Sequence, residues 1–215
     1  MKPRFITFEG SEGCGKTTQI SLLADWFKQR GQTVTCLREP GATPLGEAVR
    51  HLLKHDPAGH GMAAESELLL FTASRAELVR KVIQPALTAG RWIICDRFHD
   101  STTVYQSIAR GLDRLTVSVI NDFALGGTVP TLTLFLDLPA AESRARMLRR
   151  PRPVGQTDRM ENEPPEFYEK VTNGYRQLAD SEPSRIKRID ADGDKRTVFE
   201  KILSEVKNAF HGQLD

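Results

Sequence analysis

Cysteine is scarce in this sequence, and neither sign of charge dominates it. The 215 residues include three cysteines, and 30 basic against 28 acidic side chains leave a net charge of +2. Cys14, Cys36 and Cys95 are odd in number and too widely spaced for a disulfide framework or a zinc site. We expect reduced thiols, with Cys36 and Cys95 buried in the core. Without a dense basic face, no nucleic-acid partner is predicted.

Long hydrophobic runs are also missing. No apolar stretch approaches the ~20 residues of a membrane-spanning helix, and the segment before Glu9 is too short for a signal peptide. We therefore predict no membrane partner and a cytoplasmic location. Hydrophobic residues make up 39% of the chain and charged residues 27%, which is typical of one globular domain, here spanning 1–215.

Five short runs of β-branched or aromatic residues alternate with stretches of helical period. The runs are 5–8, 33–37, 92–95, 132–136 and 186–189. The helical stretches are 16–29, 44–53, 65–88, 102–110, 115–125, 140–149, 165–180 and 195–210. This alternation predicts an α/β fold with a five-stranded, mostly parallel sheet and helices on both faces.

One segment, 149–165, interrupts this pattern with four prolines and many charges. Its composition predicts no regular element. The segment is typical both of a mobile lid that closes over a site and of a tolerated surface loop, and composition alone does not separate the two.

The phosphate-binding motif G-x-x-x-x-G-K-[ST] occurs at 10–17, between the first predicted strand and the first predicted helix. Loop amides and the helix N-terminus bind phosphate oxygens in that position. Lys16 is expected to bridge the β- and γ-phosphates of ATP, and Thr17 to bind Mg²⁺. We assign ATP binding to Gly10, Ser11, Glu12, Gly13, Cys14, Gly15, Lys16, Thr17 and Thr18. A glycine-rich turn with a helix cap is the structural alternative. A GTPase is not predicted, because the sequence has no N-K-x-D base-reading motif.

A second site is predicted at the carboxyl ends of the strands, where open parallel sheets bind their ligands. Arg97 follows the third strand and suits an acceptor phosphate, while Asp96 beside it suits Mg²⁺ or the orientation of the acceptor. Arg50 lies in a helix that follows a glycine- and proline-rich loop. The alternative for Asp96 and Arg97 is a plain salt bridge.

Two helices carry groups suited to a nucleotide base. Phe71 and Arg75 are four residues apart and share one helix face, and a ring beside a guanidinium suits a base with carbonyl groups. Thr102, Tyr105 and Gln106 offer a hydroxyl, a phenol and an amide on another helix. The alternatives are that Phe71 belongs to the core, that Arg75 is a solvated charge, and that the second helix is an ordinary polar surface.

Several motifs then occur together in a specific order and spacing. They are 8–18, 38–41, 70–75, 96–98 with Tyr105 and Gln106, and Asp158 with Arg159 ahead of Tyr175. Together they resemble bacterial thymidylate kinases over nearly the whole chain. The resemblance implies that ATP, with Mg²⁺, phosphorylates dTMP to dTDP for dTTP biosynthesis. It also implies a P-loop NTPase-type fold and a homodimer.

The resemblance further implies how the base is bound. Phe71 stacks on thymine, Arg75 and Gln106 read its polar edge, and Thr102 lies beside them. Tyr105 crowds the 2′ position of the ribose. These roles come from the matched motifs and not from spacing alone.

The same resemblance implies that Arg50 and Arg97 hold the dTMP phosphate and that Glu12 approaches the sugar 3′-hydroxyl. Ala42 and Phe98 depart from the pattern, since relatives often have Gly and Tyr there. The second departure removes a phenolic hydroxyl.

Some thymidylate kinases carry an arginine in the phosphate loop at the position of Gly13, which has no side chain to offer. The resemblance is therefore to the subtype whose lid supplies the catalytic cation. The arginines of the lid and its approach are Arg149, Arg150, Arg152 and Arg159. We favour Arg150 and Arg152, with Arg149 open and Arg159 paired with Asp158 or Glu161. The alternative is that all four are solvated charges.

A phosphate monoester is already a nucleophile at neutral pH, so catalysis needs positioning and charge neutralisation more than a base. We assign catalysis to Lys16, Glu12, Asp96, Arg97, Arg150 and Arg152. A deoxynucleoside kinase is the nearest competing function, but it would need a carboxylate base and would make little use of Arg50 and Arg97. A non-catalytic nucleotide-binding regulator would not need the whole transfer apparatus.

Overall fold

The computed structural model describes residues 2–149 and 158–214. Its sheet consists of β1 (Phe5–Glu9), β2 (Val34–Arg38), β3 (Trp92–Asp96), β4 (Leu132–Asp137) and β5 (Ile186–Asp190). The strand order is β2-β3-β1-β4-β5, and all four pairings are parallel. The predicted five-stranded parallel sheet is confirmed.

Helices connect the strands. They are α1 (Lys16–Lys28), α2 (Pro44–Lys54), α3 (Ala64–Leu78), α4 (Gln84–Thr88), α5 (His99–Thr102), α6 (Arg114–Leu125), α7 (Ala140–Arg149), α8 (Pro165–Ser181) and α9 (Lys195–Ala209). Short 3₁₀ turns lie at Pro57–Gly59 and Arg159–Asn162. Within the two described ranges, no helix is long and apolar enough to cross a membrane.

Two predicted helices contain a wider π turn. The stretch 65–88 is helical throughout, but Val79–Ile83 is a π-helix between α3 and α4. Pro85 has no N–H to donate to the preceding turn, which explains a break in the α pattern there. Residues Thr103–Ala109 also form a π-helix, continuing α5, and the Arg110 amide donates to the Tyr105 carbonyl five residues back.

Every strand ends one residue later than its hydrophobic run, and each added residue is charged. These residues are Glu9, Arg38, Asp96, Asp137 and Asp190. Because the strands are parallel, the five charged ends lie along the same edge of the sheet. That edge carries the candidate site.

The two faces of the sheet bury different clusters because side chains alternate along a strand. Ile6 and Phe8 pack with residues of α1 and α9, whereas Phe5 packs with Leu78 and Val79. Helices on both faces are therefore confirmed.

The prediction for the cysteines was half wrong. Cys95 is buried as expected, but Cys36 is exposed. Cys36 lies on the edge strand β2 and lines the larger cavity described below, so no helix covers it.

Candidate active site

The phosphate loop connects β1 to α1 and is docked against α7. Gly13 has a φ of +81°, and a Cβ at this position would lie 2.5 Å from the Ser143 carbonyl oxygen of α7. The Ser11 and Ser143 hydroxyls are 2.7 Å apart, and Ser143 also donates to the Glu12 carbonyl. The helix that leads into the proline-rich segment is thus in direct contact with the loop.

Lys16 is buried within its own loop. Its ammonium Nζ donates to the Gly10 carbonyl at 3.1 Å and to the Ser11 carbonyl at 2.9 Å. A cavity of about 380 Å³ opens beside it. The residues that line this smaller cavity are Glu12, Gly13, Gly15, Lys16, Thr17, Thr18, Asp96, Arg146 and Met147.

A larger cavity of about 590 Å³ lies along the strand ends towards β2. Most of the residues predicted to bind the acceptor line it, namely Glu12, Arg50, Phe71, Arg97, Thr102, Tyr105 and Gln106. Three residues, Glu12, Thr17 and Asp96, line both cavities. The two spaces therefore meet between the phosphate loop and the end of β3.

Arg97 occupies this junction in a strained conformation. Its φ of 70° is in the left-handed region, which costs a non-glycine residue roughly 1–2 kcal/mol. The guanidinium donates to Glu12 Oε1 at 3.0 Å and to the Tyr175 hydroxyl at 3.2 Å. Burial alone raises the pKa of Glu12, but the charges of Arg97, Lys16 and Lys54 outweigh it and hold this pKa well below its usual range. Glu12 is ionised at neutral pH.

A buried carboxyl that sequence reasoning missed lies beneath Arg97. Glu9 has no exposed surface and accepts hydrogen bonds from the Phe98 amide, the Ser101 hydroxyl and the Tyr175 hydroxyl at 2.6–2.8 Å. Burial, with the nearby charge of Asp100, raises the pKa of Glu9. The position of Glu9 at the carboxyl end of β1, directly before the phosphate loop, was the signal that could have found it.

Arg75 is neither on the cavity wall nor a solvated charge. Its side chain is 1% exposed and lies beneath the cavity floor. Its guanidinium donates to Glu39 Oε2 at 2.9 Å, Asn121 Oδ1 at 2.8 Å and Thr102 Oγ1 at 3.0 Å. Burial raises the pKa of Glu39 to about 7 although Arg75 acts against this.

One wall of the larger cavity is formed by α3 and by the π-helix that follows α5, the two helices whose residues were predicted to bind a base. Phe71 lines the cavity and is only partly buried, so it is not a core residue. One turn earlier, Glu67 accepts a hydrogen bond from Gln106 Nε2 at 2.9 Å. Sequence analysis missed Glu67, although its spacing of four from Phe71 and eight from Arg75 places all three on one helix face.

The carboxyl-terminal part of the proline-rich segment is anchored to this wall. Asp158 pairs with Lys54 of α2 at 2.6 Å, and Arg159 donates to Glu67 and to the Leu53 carbonyl. The predicted pairing of Arg159 with Asp158 is therefore wrong, because the buried carboxylate of Glu67 takes the guanidinium and Asp158 pairs with Lys54. The side chain of Glu161, the other predicted partner, lies outside the described part of the structure. The helix predicted over 140–149 is confirmed as α7, but a short 3₁₀ turn begins at Arg159, where no regular element was expected. Arg150 and Arg152 lie outside the described residues.

The two departures from the family pattern lie in defined surroundings. Ala42 has a φ of 63°, a conformation that glycine adopts more easily, and its amide donates to Glu47. Phe98 is fully buried with its ring 5.0 Å from that of Phe5.

Thr17 and Asp96 offer oxygen atoms at the junction of the two cavities. Neither side chain forms a hydrogen bond or ion pair with another described residue. No cluster of three or more potential metal-ligating side chains occurs in the described part of the chain. This arrangement fits Mg²⁺, which binds through one or two protein oxygens together with water and substrate phosphates.

The fold and its two joined cavities define a phosphate-loop enzyme that transfers a phosphoryl group between nucleotides. Residues 8–202 match the family model for thymidylate kinase, and the chain belongs to that family. It uses ATP to phosphorylate dTMP to dTDP.

Individual relatives agree with this assignment. A thymidylate kinase of Synechococcus sp. (strain JA-2-3B'a(2-13)) is 47% identical over 203 residues, or 94% of each chain. That of Desulfosudis oleivorans is 44% identical over 206 residues, or 94% of this chain and 96% of its own. The solved structure of thymidylate kinase from Ehrlichia chaffeensis has a TM-score of 0.77 at 33% identity, covering 96% of this chain and all of that one.

Proposed function

We propose that the larger cavity binds dTMP and the smaller one binds the ATP phosphates, so that transfer takes place where they meet. The observation that carries this assignment is the set of three residues, Glu12, Thr17 and Asp96, that line both cavities. An oxygen of the dTMP phosphate attacks the γ-phosphorus, the bond to the ADP oxygen breaks, and ADP leaves. No proton has to be removed from an ionised phosphate, so no strong base is required.

Base recognition is assigned to the wall of α3 and the π-helix. Phe71 stacks on thymine, Gln106 reads its edge, and Tyr105 limits the space at the ribose 2′ position. Arg75 acts from beneath, since its hydrogen bond holds the Thr102 hydroxyl at the cavity surface. Burial of these groups makes an unmatched base costly, because it would leave polar atoms unpaired.

The acceptor phosphate is assigned to Arg50 and Arg97. Both guanidinium groups line the larger cavity, and Arg97 already adjoins Glu12. Glu12 is assigned to the sugar 3′-hydroxyl, to which an ionised carboxylate can accept a hydrogen bond. A deoxynucleoside kinase would have no phosphate for these two arginines.

Mg²⁺ is assigned to Thr17 and Asp96 and would neutralise charge on the phosphates that ATP and dTMP bring together. Lys16 adds a fixed positive charge beside the smaller cavity. The remaining charge is assigned to Arg150 and Arg152 of the lid, because Gly13 offers none and its Cβ position is already occupied by α7. A cytoplasmic location stays a prediction.

We also propose a homodimer formed through α6. Leu115, Val119 and Phe123 are four residues apart and 76%, 68% and 84% exposed, so they form one apolar stripe. The family resemblance implies that a second copy of the chain covers this stripe. Phe123→Asp should yield a monomer in sedimentation equilibrium, whereas Leu45→Asp, at an exposed apolar residue of α2, should leave the dimer intact.

The acceptor assignment can be tested by binding. Wild type should bind dTMP much more tightly than thymidine by calorimetry, and Arg97→Ala should reduce that difference roughly tenfold or more, since it removes a charge-assisted contact to phosphate. Arg30→Ala, distant from both cavities, is the control. If Arg97→Ala keeps the full preference for dTMP over thymidine, the phosphate assignment is wrong.

A further inference from the structure

Glu67 is a buried carboxylate with an unusually complete set of donors. Its side chain is 2% exposed. Oε1 accepts from Gln106 Nε2 at 2.9 Å and from Arg110 Nε at 3.2 Å, while Oε2 accepts from Arg110 at 3.2 Å and from Arg159 at 2.5 Å. Two carboxylate oxygens offer about four lone-pair sites, so all of them are used.

The charge state of Glu67 follows from these contacts. Burial raises its pKa, but the hydrogen bonds from Arg110, Gln106 and Arg159 and the charge of Arg110 outweigh burial and lower the pKa from its ordinary value. At neutral pH the group is therefore ionised and can only accept hydrogen bonds.

An acceptor-only neighbour decides which way the Gln106 amide faces. The amide has one donating NH₂ end and one accepting oxygen end. Only the NH₂ end can bond to an ionised carboxylate, so the oxygen must face away from Glu67. Gln106 lines the larger cavity, and its Oε1 accepts no hydrogen bond from any described residue. The free acceptor is available to the base.

We propose that Glu67 is a positioning residue that holds the Gln106 oxygen towards the base and thereby selects thymine over cytosine. Thymine carries a donor N3–H, which matches an amide oxygen. Cytosine carries an acceptor at N3, which cannot hydrogen-bond to the amide oxygen and is repelled by it. This inference rests on the proposed role of Gln106 in base recognition and adds the reason for its orientation.

Glu67 also joins the base wall to the lid. Arg159 reaches it from the carboxyl-terminal part of the proline-rich segment, next to the Lys54–Asp158 pair. A loss of selectivity in a Glu67 variant must therefore be separated from a loosened lid. Arg159→Gln is the matched control, since it removes the lid contact and leaves the Gln106–Glu67 hydrogen bond in place.

The experiment compares kcat/KM for dTMP and dCMP. Glu67→Gln is close in shape but can donate as well as accept, so the Gln106 amide is free to turn. The ratio of kcat/KM for dTMP to that for dCMP should fall roughly tenfold or more. In this variant the kcat/KM for dCMP should itself rise. With dTMP, KM should change more than kcat. Arg159→Gln should keep the wild-type ratio, and Glu67→Asp, which keeps an acceptor-only group, should restore most of it.

The wild-type protein provides a second measurement that does not depend on a variant folding. A dTMP methylated at N3 has lost the donor and should bind roughly tenfold or more weakly by calorimetry. Equal binding of the two ligands would overturn the proposal, as would a Glu67→Gln protein with the wild-type ratio. If Gln106→Ala loses selectivity while Glu67→Gln keeps it, the role of Glu67 fails alone. If Gln106→Ala keeps the wild-type selectivity for dTMP over dCMP, the proposed role of Gln106 in base recognition fails together with that of Glu67.

Discussion

The Arg75 guanidinium donates a hydrogen bond to the Thr102 hydroxyl at 3.0 Å from beneath the floor of the larger cavity. Two turns earlier on the same face of α3, Glu67 accepts from Gln106, which is four residues after Thr102. Phe71 lies midway between these two contacts. The ring of Phe71, proposed to stack on the base, therefore lies between two polar side chains, Thr102 and Gln106. Each of these two is hydrogen-bonded to a buried charged residue of α3.

The Glu39–Arg75 pair makes stability depend on pH. Folding raises the pKa of Glu39 from 4.5 to about 7, so the folded state holds this proton more tightly than the unfolded state does. The stability contributed by the protonated carboxyl is complete below pH 4.5 and is lost as the pH rises through 7. Glu39→Gln cannot ionise, so it lacks this pH dependence. The unfolding free energy of the variant minus that of wild type should therefore increase by about 1–3 kcal/mol between pH 5 and pH 8.

Urea unfolding of both proteins across that range measures this difference. Glu47→Gln is the control, because a hydrogen bond from the Ala42 amide lowers the pKa of Glu47 and confines its effect to below pH 4.5. The difference in unfolding free energy between Glu47→Gln and wild type should stay nearly constant between pH 5 and 8. A flat difference for Glu39→Gln as well would show that the carboxyl is ionised throughout.

Gly13 should tolerate no side chain. A Cβ would meet the Ser143 carbonyl at 2.5 Å, and φ is +81°, so Gly13→Ala combines backbone strain with a collision against α7. Gly31→Ala has a similar φ of +70° and open space around it, and should cost roughly 1–2 kcal/mol from strain alone. Urea unfolding should show a larger loss for Gly13→Ala than for Gly31→Ala. Equal losses would mean that α7 is not docked on the loop, and Gly13→Arg should fail to replace the lid arginines.

Lys16→Ala should reduce kcat at least 100-fold, roughly the effect of removing one preorganised group that stabilises transition-state charge. The protein should still fold, although two loop carbonyls lose a donor, at a cost of roughly 1–2 kcal/mol. Lys28→Ala, at the exposed end of the same helix, should change neither rate nor stability. Near-normal turnover by folded Lys16→Ala would show that the smaller cavity is not the ATP site.

The lid arginines should act on turnover and not on binding. Removing both Arg150 and Arg152 should lower kcat far more than it raises either KM, because their charge is proposed to act mainly in the transition state. Arg149→Ala and Arg159→Ala serve as comparisons from the same segment. If the double variant turns over within threefold of wild type, the lid contributes less than about 1 kcal/mol and the catalytic cation lies elsewhere.

The sheet and the phosphate loop could be predicted because their signals are local. A hydrophobic run bounded by charge marks each strand, and the loop motif is contiguous between one strand and one helix. Phe71, Thr102 and Gln106 were found because spacings of four on a helix place residues on one face. These spacings hold approximately even where the second helix is π rather than α.

What the sequence could not predict depends on contacts between distant segments. Arg75 is buried because Glu39 and Asn121, 36 and 46 residues away, reach it from two other elements. Arg159 pairs with Glu67, 92 residues earlier, while its neighbour Asp158 pairs with Lys54, 104 residues earlier. Cys36 is exposed because β2 is an edge strand, and strand order is not encoded in any one run.

The most direct test is a coupled assay of ADP release by the wild-type protein with ATP, Mg²⁺ and a panel of acceptors. We expect rapid release with dTMP and slower release with dUMP, since a missing methyl is worth only ~1–3 kcal/mol in an apolar pocket. Release with dCMP, dGMP or thymidine should be far slower. Release at the same rate without any acceptor, or with thymidine while dTMP is inert, would contradict the account.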